Sequence, residues 1–297
     1  MSIDDIDSKL IDILKKDART PASKIADMLG ISRMTVKNRM KRLEDLGIIR
    51  QYTVLLGVKP LVPTPIQVRK VERVKTGVPG FDELCEGGLP KSTTTLISGP
   101  PGAGKTIFGL QFLYNGYKEY GEPGALIALQ DSPSDLLTFA ATLGMDLNTS
   151  KVAIVSPFSP EITVHERADY ETMAMNFEKT VEEAITRVGA ERVVIDSITI
   201  FLSRFDDTYT RRREIYLINN FLRSRGCTTI MIAEHYDQAD YVLESYVAQN
   251  VIVMKYSKEG NHRKKELEIL KMFATDHSRG LHPYWITKNG LKIEPLT

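Results

Sequence analysis

The chain has 297 residues, 42% of them hydrophobic, and its 39 basic and 38 acidic side chains leave a formal net charge of +1. That length accommodates one large domain and one small one, and the near-neutral balance excludes a global basic field of the kind that announces nucleic acid. Cys85 and Cys227 are far apart and in no metal-ligand spacing, no stretch reaches membrane-span length, and Met1-Ser2-Ile3-Asp4-Asp5 is no signal-peptide start; a soluble cytoplasmic protein, with both cysteines as packing residues, is expected.

Three helices are predicted in the first 57 residues. Ile6, Leu10, Ile11, Ile13 and Leu14 lay an apolar stripe on the first. Thr20 reads as an N-cap with Pro21 at the first helical position of the second, which carries Ile25, Ala26 and Leu29 and ends at Gly30. Ser32 caps the third, Arg33 to Leu46, with Met34, Val36, Met40 and Leu43 placed inward. That helix carries Arg33, Lys37, Arg39, Lys41 and Arg42 before its first acid, Glu44. Two helices joined through Gly30, the second basic, make a helix-turn-helix. The run Ile48 to Leu56 reads as a following strand, hence a wing. Pro60, Pro63 and Pro65 then forbid a continuous helix or central strand and mark a stiff linker. The expected division is 1–57, a linker over 58–70, and a second domain over 71–297 in which strands and helices alternate.

In that second part Ser92 to Ser98 reads as a strand, and Lys105 to Glu119 as a helix with Ile107, Leu110, Gln111 and Tyr114 at helical spacing. Between them Gly99-Pro100-Pro101-Gly102-Ala103-Gly104-Lys105-Thr106 fits G-x-x-x-x-G-K-[ST] at every specified position. Glycines let successive backbone N–H groups turn toward phosphate oxygens, and the helix start adds its positive dipole end. Nucleotide contacts are expected from Gly99, Pro100, Pro101, Gly102, Ala103, Gly104, Lys105, Thr106 and Ile107, with Lys105 reaching the terminal phosphates. The Thr106 hydroxyl is placed to ligate Mg²⁺. A second carboxylate on the metal side is expected at the end of a neighbouring buried strand, and Asp196 closes the apolar run Arg192-Val193-Val194-Ile195-Asp196. ATP and Mg²⁺ are the expected cofactors.

Positions 3 to 56 resemble the Lrp/AsnC family of winged helix-turn-helix regulators, notably in Ile6 to Leu14, Gly30-Ile31-Ser32, Val36 to Arg39, Arg42 to Ile49 and Tyr52-Thr53. The resemblance implies that the third helix docks in the major groove of double-stranded DNA. Ser32, Arg33, Met34, Thr35, Lys37 and Asn38 would face the DNA, with Arg39 and Lys41 close to phosphates. A winged domain used for protein contacts is the competing view.

Arg73 to Leu84, Gly87-Gly88-Leu89-Pro90, the phosphate loop, Phe112 to Gly116, Val194 to Thr199, Thr228 to Met231, Leu267 to Met272 and Ile286 to Ile293 together resemble a KaiC-type domain of the RecA/RadA superfamily. The implied fold is α/β, a RecA-like P-loop NTPase core with a mostly parallel sheet sandwiched by helices. ATP is implied at the carboxyl ends of the strands and at the edge between subunits of a ring.

Two departures bear on hydrolysis. After the strand Ala125 to Leu129 the relatives carry two adjacent glutamates, the first polarising the attacking water; here stand Gln130-Asp131. A glutamine takes no proton, and Asp131 is the nearest remaining base on a shorter side chain. In the segment that reaches a neighbouring subunit's site the relatives read Lys-x-Arg-Gly-x-x-His, whereas this chain reads Lys271-Met272-Phe273-Ala274-Thr275-Asp276-His277. Lys271 and His277 survive, and Phe273 replaces the arginine that would stabilise the transferring phosphoryl group. The expectation is slow hydrolysis in a ring or dimer whose DNA engagement follows the nucleotide. An ATP-gated switch acting through protein partners and a recombination accessory are the alternatives.

Overall fold

The computed structural model describes residues 4–49, 70–157, 170–234, 244–259 and 262–294. Contacts divide the chain into two compact units, Met1–Val68 and Arg69–Thr297.

The first unit holds α1 (Asp5–Lys16), α2 (Ala22–Leu29) and α3 (Arg33–Asp45). Leu10, Leu14, Ile25, Ala26, Val36 and Leu43 form its core. Asp4 caps α1, Gly30 ends α2 with a φ of 65°, and the Ser32 hydroxyl accepts from the Thr35 N–H at the start of α3. The expected cap of α2 shifts by one residue. Thr20 donates its hydroxyl to the Asp17 carbonyl, 2.8 Å away, so Pro21 takes the cap position with no side-chain bond. Met34, expected inward, is 66% exposed. The expected wing over 48–56 and the linker over 58–70 lie, apart from Ile48, Ile49 and Lys70, outside the described residues.

In the second unit a short ladder pairs β1 (Arg73–Val74) with β2 (Leu89–Pro90). The main sheet is built from β3 (Thr94–Gly99), β4 (Gly124–Ala128), β5 (Val152–Val155), β6 (Arg192–Asp196), β7 (Thr228–Glu234), β8 (Asn250–Glu259), β9 (His262–Lys271), β10 (His282–Thr287) and β11 (Gly290–Ile293). Its order is β11-β10-β9-β8-β3-β7-β6-β4-β5. The six strands from β8 to β5 run parallel, and β9, β10 and β11 extend one edge as an antiparallel meander.

Strand periodicity splits the apolar residues between two faces. Ile97, Val194, Ile230 and Ile252 pack with α4 (Lys105–Asn115) and α5 (Pro133–Thr142). Leu96, Val193, Ile195 and Met231 pack on the other face with α6 (Tyr170–Val188), α7 (Ile198–Leu202) and α8 (Thr208–Ser224). The result is a three-layer α/β unit with a mostly parallel sheet. A short α9 (Glu244–Val247) leads into β8. Both cysteines are buried free thiols, Cys85 on the first face and Cys227 on the second. No described helix is long and apolar enough to cross a membrane.

Arg192 enters β6 fully buried. Its guanidinium pairs with Glu122 at 2.6 Å, donates to the Phe112 carbonyl at 2.8 Å, and lies over the Phe112 ring. It also presses on Gly116, where a Cβ would stand 2.4 Å from the Arg192 Cδ. Here α4 gives way to a π-turn over Gly116–Tyr120, so the helix expected to run to Glu119 changes its winding at the residue that has no side chain. Because the charge is buried and paired, its removal leaves Glu122 and the Phe112 carbonyl without their partner. Arg192→Ala is expected to cost about 3 kcal/mol of stability, read by denaturant unfolding.

Candidate functional site

The phosphate loop stands between β3 and α4, at the carboxyl end of the parallel sheet. Gly99, Gly102 and Gly104 hold φ values of 156°, 74° and 99°, the left-handed region open to glycine. At Gly99 a side chain is also excluded by approach, since a Cβ would meet the Met254 carbonyl oxygen at 2.4 Å. Lys105, the first residue of α4, is 6% exposed and donates to the Gly99 and Pro100 carbonyls at 2.8 and 3.0 Å. Burial lowers its pKa, while the carboxylates of Glu234 and Asp196 act in the opposite direction.

Next to it Thr106 donates its hydroxyl to Asp196 Oδ2 at 2.7 Å. Asp196 lies two strands from the loop, not on the neighbouring one: β7 runs between β3 and β6 and pairs with both. Burial pushes the Asp196 carboxyl up to about 6, the Thr106 hydrogen bond pulls it down, and the charges of Asp131 and Glu234 add to the rise. The pair offers two hard oxygen donors side by side. Among the described residues no cluster of three His, Cys, Asp or Glu side chains surrounds a possible ion. A donor set of this kind suits a cation that takes its other oxygens from phosphate and water, as Mg²⁺ does.

Glu234 is the residue that the sequence reading missed. It ends β7 in register with Gly99, and its N–H donates to the Thr199 hydroxyl at 3.0 Å. The available signal was the one used for Asp196, an acid closing a buried apolar strand. Gln130 and Asp131 lie exposed on the turn between β4 and α5, whose first turn is capped by Ser132.

Lys271 is not brought to the loop of its own chain. Lys271 pairs with Val251 at the start of β8, beside Leu96 near the start of β3, whereas the phosphate loop leaves β3 at its other end. Phe273, 56% exposed, is fixed by its N–H on the Asn250 side chain, and His277 contacts the Ser278 carbonyl through Nδ1.

In the N-terminal unit Ser32, Arg33, Met34, Lys37, Asn38 and Lys41 are exposed and Thr35 is half-buried, its hydroxyl sharing a hydrogen bond with Ser32. Arg39, expected beside phosphates, is held inside the unit instead. It donates to Asp4 at 2.6 Å and to the fully buried Asp7 at 2.7 Å, and Arg42 reaches the same Asp7 at 3.3 Å. Arg39 holds the Asp4 carboxyl below its usual range.

A family model described as KaiC ATPase matches residues 74–297, and one described as an AsnC-type helix-turn-helix domain matches residues 3–44. The circadian clock oscillator protein KaiC of Parasynechococcus marenigrum is 37% identical over 76% of this chain and 46% of its own length. That of Synechococcus elongatus is 35% identical over 76% and 45%. The chain thus spans about half the length of these relatives. The solved structure of a KaiC-like protein from Pyrococcus horikoshii OT3 shares 35% identity and a TM-score of 0.67, covering 76% of this chain and all of that one.

Asp196 carries a pH signature in the protein without metal or nucleotide. Its folded pKa is raised from the ordinary carboxyl value of 3.8 to about 6. Its contribution therefore favours the folded state below the unfolded value and is lost as pH climbs through about 6. Compared with Asp196→Asn, the parent protein is expected to lose about 3 kcal/mol of stability between about pH 4 and pH 7. Denaturant melts across that range check the window and the sign.

Proposed function

Because the chain belongs to the KaiC family, we propose that it is an ATP- and Mg²⁺-binding regulator that hydrolyses ATP slowly and engages double-stranded DNA through its N-terminal helix-turn-helix. The observation that carries the nucleotide half is the Thr106–Asp196 contact at the head of α4. The fit of two hard oxygens without a protein cage supports Mg²⁺. When bound there, Mg²⁺ supplies neutralisation of phosphate charge and a template for the phosphate oxygens. The glycine turns present N–H groups to the β-phosphate, and Lys105 adds an ammonium that is already partly desolvated.

Slow turnover follows from what flanks the site. Gln130 orients a water by hydrogen bonds but accepts no proton from it, and Asp131 is the nearest base on that turn. Phe273 offers no positive charge to a neighbouring subunit's phosphoryl group. Lys271, placed away from its own loop, supports a ring or dimer in which it serves the adjacent site together with His277. The same two substitutions favour a second reading, an ATP-gated switch acting through protein contacts with scarcely any turnover. Phosphate release decides between them. A slow steady rate that vanishes in Lys105→Ala is expected, and a parent rate no higher than that variant's overturns the enzyme reading.

For DNA, the supporting observation is the exposed stripe Arg33, Lys37, Asn38 and Lys41 along α3. We assign residues 1–57 to the DNA-binding domain, 58–70 to the linker and 71–297 to the ATPase domain. An oligomer would then raise the effective concentration of weakly binding modules. Lys37→Ala combined with Lys41→Ala is expected to weaken duplex binding at least tenfold at low salt in a mobility-shift or anisotropy titration. Unchanged affinity removes α3 as the reader.

A further inference from the structure

The carbonyl side of the phosphate loop is occupied residue by residue. The Gly99 and Pro100 carbonyls accept from Lys105. The next three accept from β8 and the first two strands of the antiparallel meander: Pro101 from the Tyr256 hydroxyl at 3.2 Å, Gly102 from the Lys265 ammonium at 3.0 Å, and Ala103 from the Tyr284 hydroxyl at 2.7 Å. The three donors come from β8, β9 and β10. Tyr256 and Lys265 are direct cross-strand partners, and Arg263 and Lys265 both lie 5.6 Å from the Tyr256 ring centre. They continue the face that carries Met254 and Leu267, which pair across the same strands and are fully buried in the core. Tyr284 is itself buried, and burial keeps its phenol protonated and so able to donate.

A peptide group is planar and trans, so holding the carbonyl of one residue aims the N–H of the next in the opposite direction. Pro100 and Pro101 have no N–H to aim, which leaves their preceding carbonyls to Lys105. Holding the Pro101 carbonyl orients the Gly102 N–H, and holding the Ala103 carbonyl orients the Gly104 N–H. Holding the Gly102 carbonyl orients the Ala103 N–H, which closes the turn onto Pro100 at 3.3 Å. Left to itself, a loop with glycines at 99, 102 and 104 would sample many such orientations.

We propose that Tyr256 and Tyr284, which aim the Gly102 and Gly104 N–H groups, and Lys265, which secures the Ala103–Pro100 turn between them, are positioning residues for phosphate recognition that clamp the loop's carbonyls from behind so that those two N–H groups converge on the β-phosphate. The inference rests on the nucleotide reading of the site, and it makes β8 and the meander determinants of affinity for the diphosphate unit. None of the three touches the nucleotide.

Titration calorimetry of Tyr256→Phe, Lys265→Met and Tyr284→Phe with ATP, ADP and inorganic pyrophosphate tests it. Each variant is expected to lose about fivefold in affinity, by the same factor for all three ligands, since each removes one hydrogen bond behind a loop that all three share. A loss for ATP alone would make the residue a γ-phosphate contact, and a loss for ATP and ADP without pyrophosphate would make it a base contact. Either result overturns the clamp, as does unchanged affinity. Tyr256 and Lys265 are half-buried, so their variants report even if Tyr284→Phe disturbs packing. Failure of the parent protein to bind any of the three ligands would instead remove the nucleotide reading itself.

Discussion

The parallel pairing of β7 with β3 on one side and β6 on the other places three chemically different strand ends together. At the carboxyl end of β3 the chain turns into the phosphate loop. The end of β7 brings Glu234 level with Gly99, and β6, one strand further, brings Asp196 to the Thr106 hydroxyl. Because these strands are buried on both faces, their carboxyl ends are where polar side chains leave the apolar interior, and the site inherits that boundary. Lys105 with its lowered pKa and Asp196 with its raised one are two results of the same desolvation. Each is held by compensating contacts: Lys105 by two carbonyls and nearby acids, Asp196 by Thr106.

What the sequence made legible was what is local in it. The phosphate loop, the apolar run ending at Asp196 and the capping signals around Gly30 and Ser32 each depend on a few consecutive residues. What it withheld depends on strand order and on distant pairings. Nothing in a linear pattern says that β7 inserts between β3 and β6, so Asp196 was expected one strand closer and Glu234 went unnoticed. Arg39 read as one of five equivalent basic residues because its acidic partners stand 35 and 32 positions away. The change of winding after Asn115 was hidden for a similar reason, since the guanidinium that crowds Gly116 belongs to a strand more than seventy residues later.

The two halves of the molecule treat buried charge in parallel ways. In the large unit Arg192 anchors the entry of β6 through Glu122 and a helix-terminal carbonyl. In the small one Asp7, fully buried, collects Arg39 and Arg42 from α3 and so ties the start of α1 to the middle of α3. Such pairs add little net stability over an apolar contact, yet losing one partner is costly, so they favour a single arrangement of the elements they join.

The commitment of Arg39 to Asp4 and Asp7 has a consequence for the arithmetic of any contact with DNA. With Arg39 and Arg42 turned to acids, the exposed face of α3 presents Arg33, Lys37 and Lys41 in steps of four residues, a line of charge about 12 Å long at 1.5 Å per residue. Three such cations displace at most about three counterions, which corresponds to a slope of about −2.7 in a plot of log affinity against log salt for one copy. A measured slope near twice that value would count the modules resting on one duplex. The salt exponent thereby becomes a ruler for assembly as well as a measure of electrostatics.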